Sequence, residues 1–182
     1  MDDSTGKLLH AVHFSASKHR DQRRKDQPRS PYINHPIRVA EILWTVGAVR
    51  DEATLLAAIL HDVIEDTQTT PAEIQTEFGE IVLRLVLEVT DDKDLPKQQR
   101  KRRQIEHAPH LSHPAQLIRL ADKISNLHDL LYSPPQRWSL QRRQDYVRWT
   151  EKVVAGLRGA SPAMEQNYDH LLKEGKQILQ IE

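Results

Sequence analysis

Residues 51–66 read DEATLLAAILHDVIED, and the reading of this stretch decides the fold. Asp51 is a residue type that caps helices, and Ala53 to Leu60 is almost wholly apolar, so no face of such a helix is left for water. A helix of this kind lies inside a bundle and carries the ionisable pair His61-Asp62 at its buried end. Burying two such groups without a partner is costly, which makes the pair the first candidate for a site.

Outward from it, the punctuation is that of consecutive helices. Leu8, Val12 and Ser15-Ala16 give a short amphipathic helix from Thr5 to about His19, and the polar stretch Arg20 to Tyr32 reads as a loop. Pro36 suits the first turn of the next helix, with Ile37, Ala40, Ile42 and Leu43 as its buried stripe and Gly47 as its stop. Thr70-Pro71-Ala72-Glu73 forms a capping box with proline at the first position, and Gly79 separates that helix from the following one. Ile81 to Val89 is β-branched enough to suggest a strand, yet Leu83, Leu85, Val86 and Val89 fit a buried helix, and the neighbouring helices decide for it. Pro96 to about His107 is a basic helix, and Ser112 caps a long one through Leu131. Ser139 opens another reaching Leu157 before Gly159, and Ser161-Pro162 starts the last. The expected fold is all-α, a helical bundle of about eight to ten helices. Residues 1–182 are expected to form a single domain, since one core serves a chain of this size.

Composition narrows the function. Hydrophobic residues make up 38% and charged residues 29%, a balance of helical domains with solvated outer faces. Cysteine is absent, so any metal must be held by His, Asp or Glu. The amino terminus lacks the basic start and apolar run of a secretory signal, and no apolar stretch is long enough to span a bilayer, so the expectation is a soluble, cytoplasmic protein without a membrane partner. Lys plus Arg equals Asp plus Glu at 26 each, which argues against a nucleic-acid partner, although basic clusters such as Arg23 to Lys25 and Arg100 to Arg103 can recruit a small anion.

A second costly group is Asp122, which sits among Leu117, Ile118, Leu120, Ala121, Ile124 and Leu127 on a helical face. A salt bridge to a neighbouring Arg would be one solution; a partner shared with His61-Asp62 is the other. Together with His35, these side chains make a mixed set of two imidazoles and two carboxylates, suited to Mn²⁺, Fe²⁺ or Zn²⁺. Glu65 follows Asp62 by three positions and His61 by four, hence lies on the same side if the helix continues, with Asp66 beside it. They could orient or deprotonate an attacking water or protonate a leaving group, or else decorate an exposed turn.

The segments YINHPIRVAEIL, AAILHDVIEDT, EVTDDKDLPK and LIRLADKISNLHDL resemble successive motifs of the HD hydrolase domain of RelA/SpoT-type enzymes. The likeness covers nearly the whole chain and is closest to the stand-alone form, that of the metazoan SpoT homologue and bacterial small alarmone hydrolases. It implies Mn²⁺-dependent hydrolysis of the 3′-pyrophosphate of ppGpp or pppGpp to GDP or GTP and pyrophosphate, lowering alarmone levels in the stringent response. By the same resemblance, His35, His61, Asp62 and Asp122 would bind one manganese ion, and Glu65 and Asp66 would act on water. The synthetase and regulatory domains of the bifunctional relatives have no room here, so a hydrolase alone is expected.

For a polyanionic nucleotide, Arg23, Arg24 and Lys25 are sensible phosphate contacts, with Lys97, Arg100 and Arg142 as further candidates. Asn126 projects from the same helical face as Asp122, where its amide could bond ribose or base, while Tyr146 could stack on a purine and Tyr32 line the entrance; core packing is the alternative for either ring. Asp26 stands where the long bifunctional enzymes carry serine, which puts the demand for guanine in doubt. A rival with the same site is removal of the 2′-phosphate of NADPH. A catalytically dead HD module is a second rival, and the presence of every ligand and both acids speaks against it.

Overall fold

A computed structural model describes residues 4–181. Among them nine α-helices and one 3-10 turn follow in order: α1 (Ser4–Lys18), α2 (Asn34–Thr45), α3 (Glu52–Leu60), α4 (Val63–Asp66), α5 (Pro71–Val89), α6 (Lys97–His107), the turn Ala108–His110, α7 (His113–Tyr132), α8 (Leu140–Ala155) and α9 (Pro162–Ile178). The only β pairing among the described residues is an isolated bridge between Arg23 and Pro31 in the α1–α2 loop. The all-α expectation therefore holds, the stretch 81–89 included. No described helix is long and apolar enough to cross a membrane.

Helix starts follow the local chemistry. Asp51 accepts from the Thr54 amide at 2.8 Å, and Thr70 and Glu73 exchange the reciprocal bonds of the capping box. Gly79 takes φ +84°, a conformation that side chains rarely adopt, and its non-helical backbone divides α5 into two helical segments across a kink, the separation expected there. Gly47 is required for another reason: a Cβ would sit 2.7 Å from Met164 Sδ and 2.9 Å from the Leu43 carbonyl oxygen.

From Thr54 to Leu60 every residue of α3 is buried, with α1, α2, α5 and α7 packed around it. Each buried Leu or Ile contributes about 1.5–3 kcal/mol. A second axis is α7, which contacts α2, α3, α5, α8 and α9, and whose buried run from Leu120 to Ser125 takes in Asp122 and Lys123. The stripe of α2 differs from expectation. It runs through His35, Pro36, Val39 and Leu43, and Ile37 is exposed, because a helix that turns His35 inward turns position 37 outward. Ala155 ends α8, two residues short of Leu157, which is buried in the following turn.

Candidate active site

The first turn of α2 supplies His35, the carboxyl end of α3 supplies His61 and Asp62, and the middle of α7 supplies Asp122. His35, His61 and Asp62 each offer a ligand atom within 4.8 Å of the others. Asp122 borders this trio, its Oδ1 3.2 Å from His35 Nε2 and 4.0 Å from His61 Nε2. Backbone and hydroxyl partners aim both rings. His61 Nδ1 donates to the Ala58 carbonyl at 2.7 Å, and His35 Nδ1 lies 3.1 Å from Ser125 Oγ. That leaves each Nε2 facing the carboxylates. His61 Nε2 is buried without a hydrogen-bond partner although Asp62 Oδ2 is 3.1 Å away. A buried imidazole nitrogen directed at carboxylates and left unsatisfied fits a divalent cation, and partners fixing the opposite nitrogens are what ligating histidines have.

The electrostatics agree. Burial alone would raise the Asp62 carboxyl, but His61 and His35 hold it far below the usual carboxylate range. Asp122, equally buried, is held well below that range by Lys123, His35 and His61. Burial alone would lower His61, and Asp62 and Asp122 reverse this and carry it to about 9. His35 goes the other way, lowered by burial and by the nearby Arg24 and His61. A cation bound through His61 Nε2 would compete with the proton that Asp62 and Asp122 favour there. Lys123, fully buried, pairs with Asp122 Oδ2 at 2.9 Å and lies over the Trp149 ring.

A tight turn at His61-Asp62 separates α3 from the one-turn α4, but the Asp66 amide still bonds the Asp62 carbonyl at 2.8 Å, so Glu65 and Asp66 stay on the site's side. Glu65 is pushed up to about 7, first by burial and then by Asp62, Asp91 and Asp66. Asp66 accepts from Gln22 Nε2 at 2.8 Å and is ion-paired with Lys93.

Beside these groups lies a cavity of about 290 Å³ lined by Arg24, Lys25, Tyr32, Asp66, Asn126, Trp138 and Tyr146, among others. Five of the expected substrate residues thus share one wall. Lys97 and Arg142 do not line it, yet Lys97 is close enough to Arg142, Lys25 and Arg100 for its ammonium to be lowered by burial and then by these charges. Among the described residues no carboxylate pairs with Lys25, Lys97 or Arg142, which leaves three converging cations for an anion. Arg24 is already engaged, donating to Asn126 Oδ1 at 2.9 Å and Asp129 Oδ2 at 2.7 Å, while Asn126 Nδ2 donates to Asp122. Tyr32 likewise donates its hydroxyl to Asp62 Oδ2 at 2.6 Å. Tyr32 and Asn126 therefore brace the Asp62 and Asp122 carboxylates, with Arg24 holding Asn126, as well as bordering the cavity. Arg100 approaches Glu65 at 3.5 Å, and Asp26 accepts from Ser30, closing a turn in the loop. Gln22, Asp129, Ser125 and Trp138 belong to the site too; Ser125 and Asp129 lie within the motif LIRLADKISNLHDL, but the sequence assigned no role to them or to Gln22.

Comparison with known proteins agrees with this geometry. MESH1 of Xenopus tropicalis, named a guanosine-3′,5′-bis(diphosphate) 3′-pyrophosphohydrolase, is 51% identical over 174 residues, which cover 96% of this chain and 97% of that protein. Human MESH1, of the same name, is also 51% identical, over the same shares of the two chains. The pyrophosphohydrolase of Aquifex aeolicus is 37% identical over 82% of this chain, but over only 21% of its own length. A solved metazoan SpoT orthologue, described as hydrolysing ppGpp and acting in starvation responses, superposes with a TM-score of 0.90 at 46% identity, over 92% of this chain and 94% of that one. The model of the HD domain matches residues 11–161, a span enclosing His35, His61, Asp62 and Asp122, and the chain therefore belongs to the HD-domain family.

Proposed function

We propose that this chain is a metal-dependent hydrolase that adds water across the bond between the 3′-oxygen of ppGpp or pppGpp and its pyrophosphate, giving GDP or GTP and pyrophosphate and so lowering alarmone levels in the cytoplasm. The observation that carries the reading is the buried convergence of the His35 and His61 Nε2 atoms on the Asp62 and Asp122 carboxylates, beside a pair of acids and a group of cations that no carboxylate of the described residues pairs. Relatives of the chain's own length that carry this activity in their names support the substrate.

His35, His61, Asp62 and Asp122 would hold one Mn²⁺, which when bound supplies Lewis-acid chemistry toward water and phosphoryl oxygens. The protein's own groups do the rest. Glu65, with a pKa of about 7, can both take and give a proton near neutral pH, as acid-base catalysis requires. Asp66, held between Gln22 and Lys93, orients the water. Lys25, Lys97 and Arg142 hold the phosphates, and Tyr146 and Trp138, with ring centroids 5.6 Å apart, form an aromatic wall for the base.

The test is incubation of the purified protein with ppGpp and, separately, NADPH, each with manganese and with chelator, followed by ion-exchange separation of products. Metal-dependent GDP and pyrophosphate are expected. Orthophosphate and NADH as the only products would transfer the function to the NADPH 2′-phosphate, and no product from either would refute both.

A further inference from the structure

The loop between α5 and α6, residues 90–96, touches both proposed acids. The Asp91 amide donates to Glu65 Oε2 at 3.0 Å, and Lys93 pairs with Asp66. The Asp91 carboxylate is held in turn. Gln104 Nε2 of α6 donates to it at 2.5 Å, and Arg119 Nη2 of α7 lies 3.8 Å away. Arg119 Nη2 also donates to the Val89 carbonyl at 2.8 Å, on the last residue of α5 before the loop departs. Asp91, Gln104 and Arg119 line a separate cavity of about 120 Å³ and none of them borders the larger one beside Tyr146.

We propose that Asp91, clamped by Gln104 and Arg119, is a positioning residue that aims its backbone N–H at Glu65 and so sets the direction of that carboxyl. The inference rests on the catalytic role given to Glu65 above. Its physical basis is that Gln104 of α6 hydrogen-bonds this carboxylate while Arg119 of α7, ion-paired with it at 3.8 Å, also holds the Val89 carbonyl at the root of the loop, which together fix the peptide carrying the N–H. A carboxyl that is largely buried has few other donors to turn to: Arg100 Nη1 stands at 3.5 Å, at the limit of a hydrogen bond. If the grip is released, the N–H remains but loses its aim, and Glu65 loses a fixed orientation.

The experiment uses the full-length protein with manganese and ppGpp. Asp91→Ala should lower kcat by about 10- to 100-fold, the usual cost of losing an outer-shell partner, with KM and calorimetric manganese affinity each within about threefold. Asp91→Asn, whose amide oxygen can still accept from Gln104 although the ion pair with Arg119 is lost, should recover most of kcat. In a Glu65→Asp background, whose shorter side chain cannot reach the Asp91 N–H, Asp91→Ala should cost less than about twofold more. Should Asp91→Ala fail to fold, Gln104→Leu carries the same test, with a kcat loss of about fivefold expected at unchanged KM. The proposal is overturned if Glu65→Gln lowers kcat and Asp91→Ala does not, or if Asp91→Ala costs the same factor in both backgrounds. Unchanged turnover in Glu65→Gln would instead remove the role of Glu65, and the proposal with it.

Discussion

Replacing Glu65 by Gln should abolish turnover and yet stabilise the metal-free protein at alkaline pH. The Glu65 side chain is only 17% exposed, and burial together with neighbouring carboxylates raises it from an ordinary 4.5 to about 7. Between these two values the folded state keeps a proton that the unfolded chain releases, so wild-type stability falls as pH rises through this window. The gap amounts to roughly 3 kcal/mol at about 1.4 kcal/mol for each tenfold in proton affinity. Gln keeps an acceptor for the Asp91 N–H but sets an amide near the Arg100 guanidinium, and that partial mismatch trims the net gain to about 1–2 kcal/mol. For a chain of this size that raises Tm by about 2–8 °C. The assay is thermal unfolding of chelator-treated wild type and Glu65→Gln at pH 8 and at pH 5. The gain should be full at pH 8, vanish as pH falls between the two values and turn into a loss of up to about 1 kcal/mol at pH 5, where the amide mismatch persists and little of the protonation penalty does. An equal shift at both values, or a loss at pH 8, would refute the reasoning that Glu65 is held as a charge against the preference of its surroundings.

Manganese at a hundredfold excess over its Kd should stabilise the wild type by about 2.7 kcal/mol in the same melts, and His61→Ala should lose that shift while keeping its helical circular dichroism. Lys97→Ala and Arg142→Ala should each raise KM about tenfold with kcat retained, the effect shrinking as salt is added, as steady-state kinetics at two ionic strengths would show. Gly47→Ala should cost about 1–3 kcal/mol in urea unfolding, because the Leu43 carbonyl that its Cβ would meet is backbone and cannot step aside as the Met164 thioether can.

What could be read without coordinates was whatever local chemistry or the resemblance decides. The Asp51 cap, the Thr70–Glu73 box and the apolar run before His61 are complete within a few residues, so the elements came out in the right order and class. The four proposed ligands followed from motifs in family context, and they reach the site from three stretches of chain, His61 and Asp62 sharing one. Their supports were not readable. Gln22 reaches Asp66 across 44 positions, His35 reaches Ser125 across 90, and Arg24 reaches Asp129 across 105; none of these pairings leaves a period or spacing in the sequence. Ile37 was misjudged for a related reason. Among apolar residues at mixed spacings on α2, only the inward turn of His35 shows which stripe is the buried one.

The tie from Arg24 to Asn126, 102 residues further along, has a consequence for how the protein is made. A nascent chain that has left the ribosome only as far as α6 already contains His35, His61 and Asp62, but neither Asp122 nor the helix against which Arg24 and His35 are braced. Its imidazoles would be exposed on an unfinished surface, open to whichever ion arrives. Tight capture must await the emergence of α7, by which point most of the core that selects the site's shape is present as well. Loading of the proposed site would thereby be deferred until α7 has joined the earlier helices, and translation itself would act as a safeguard against an ion held too early in the wrong geometry.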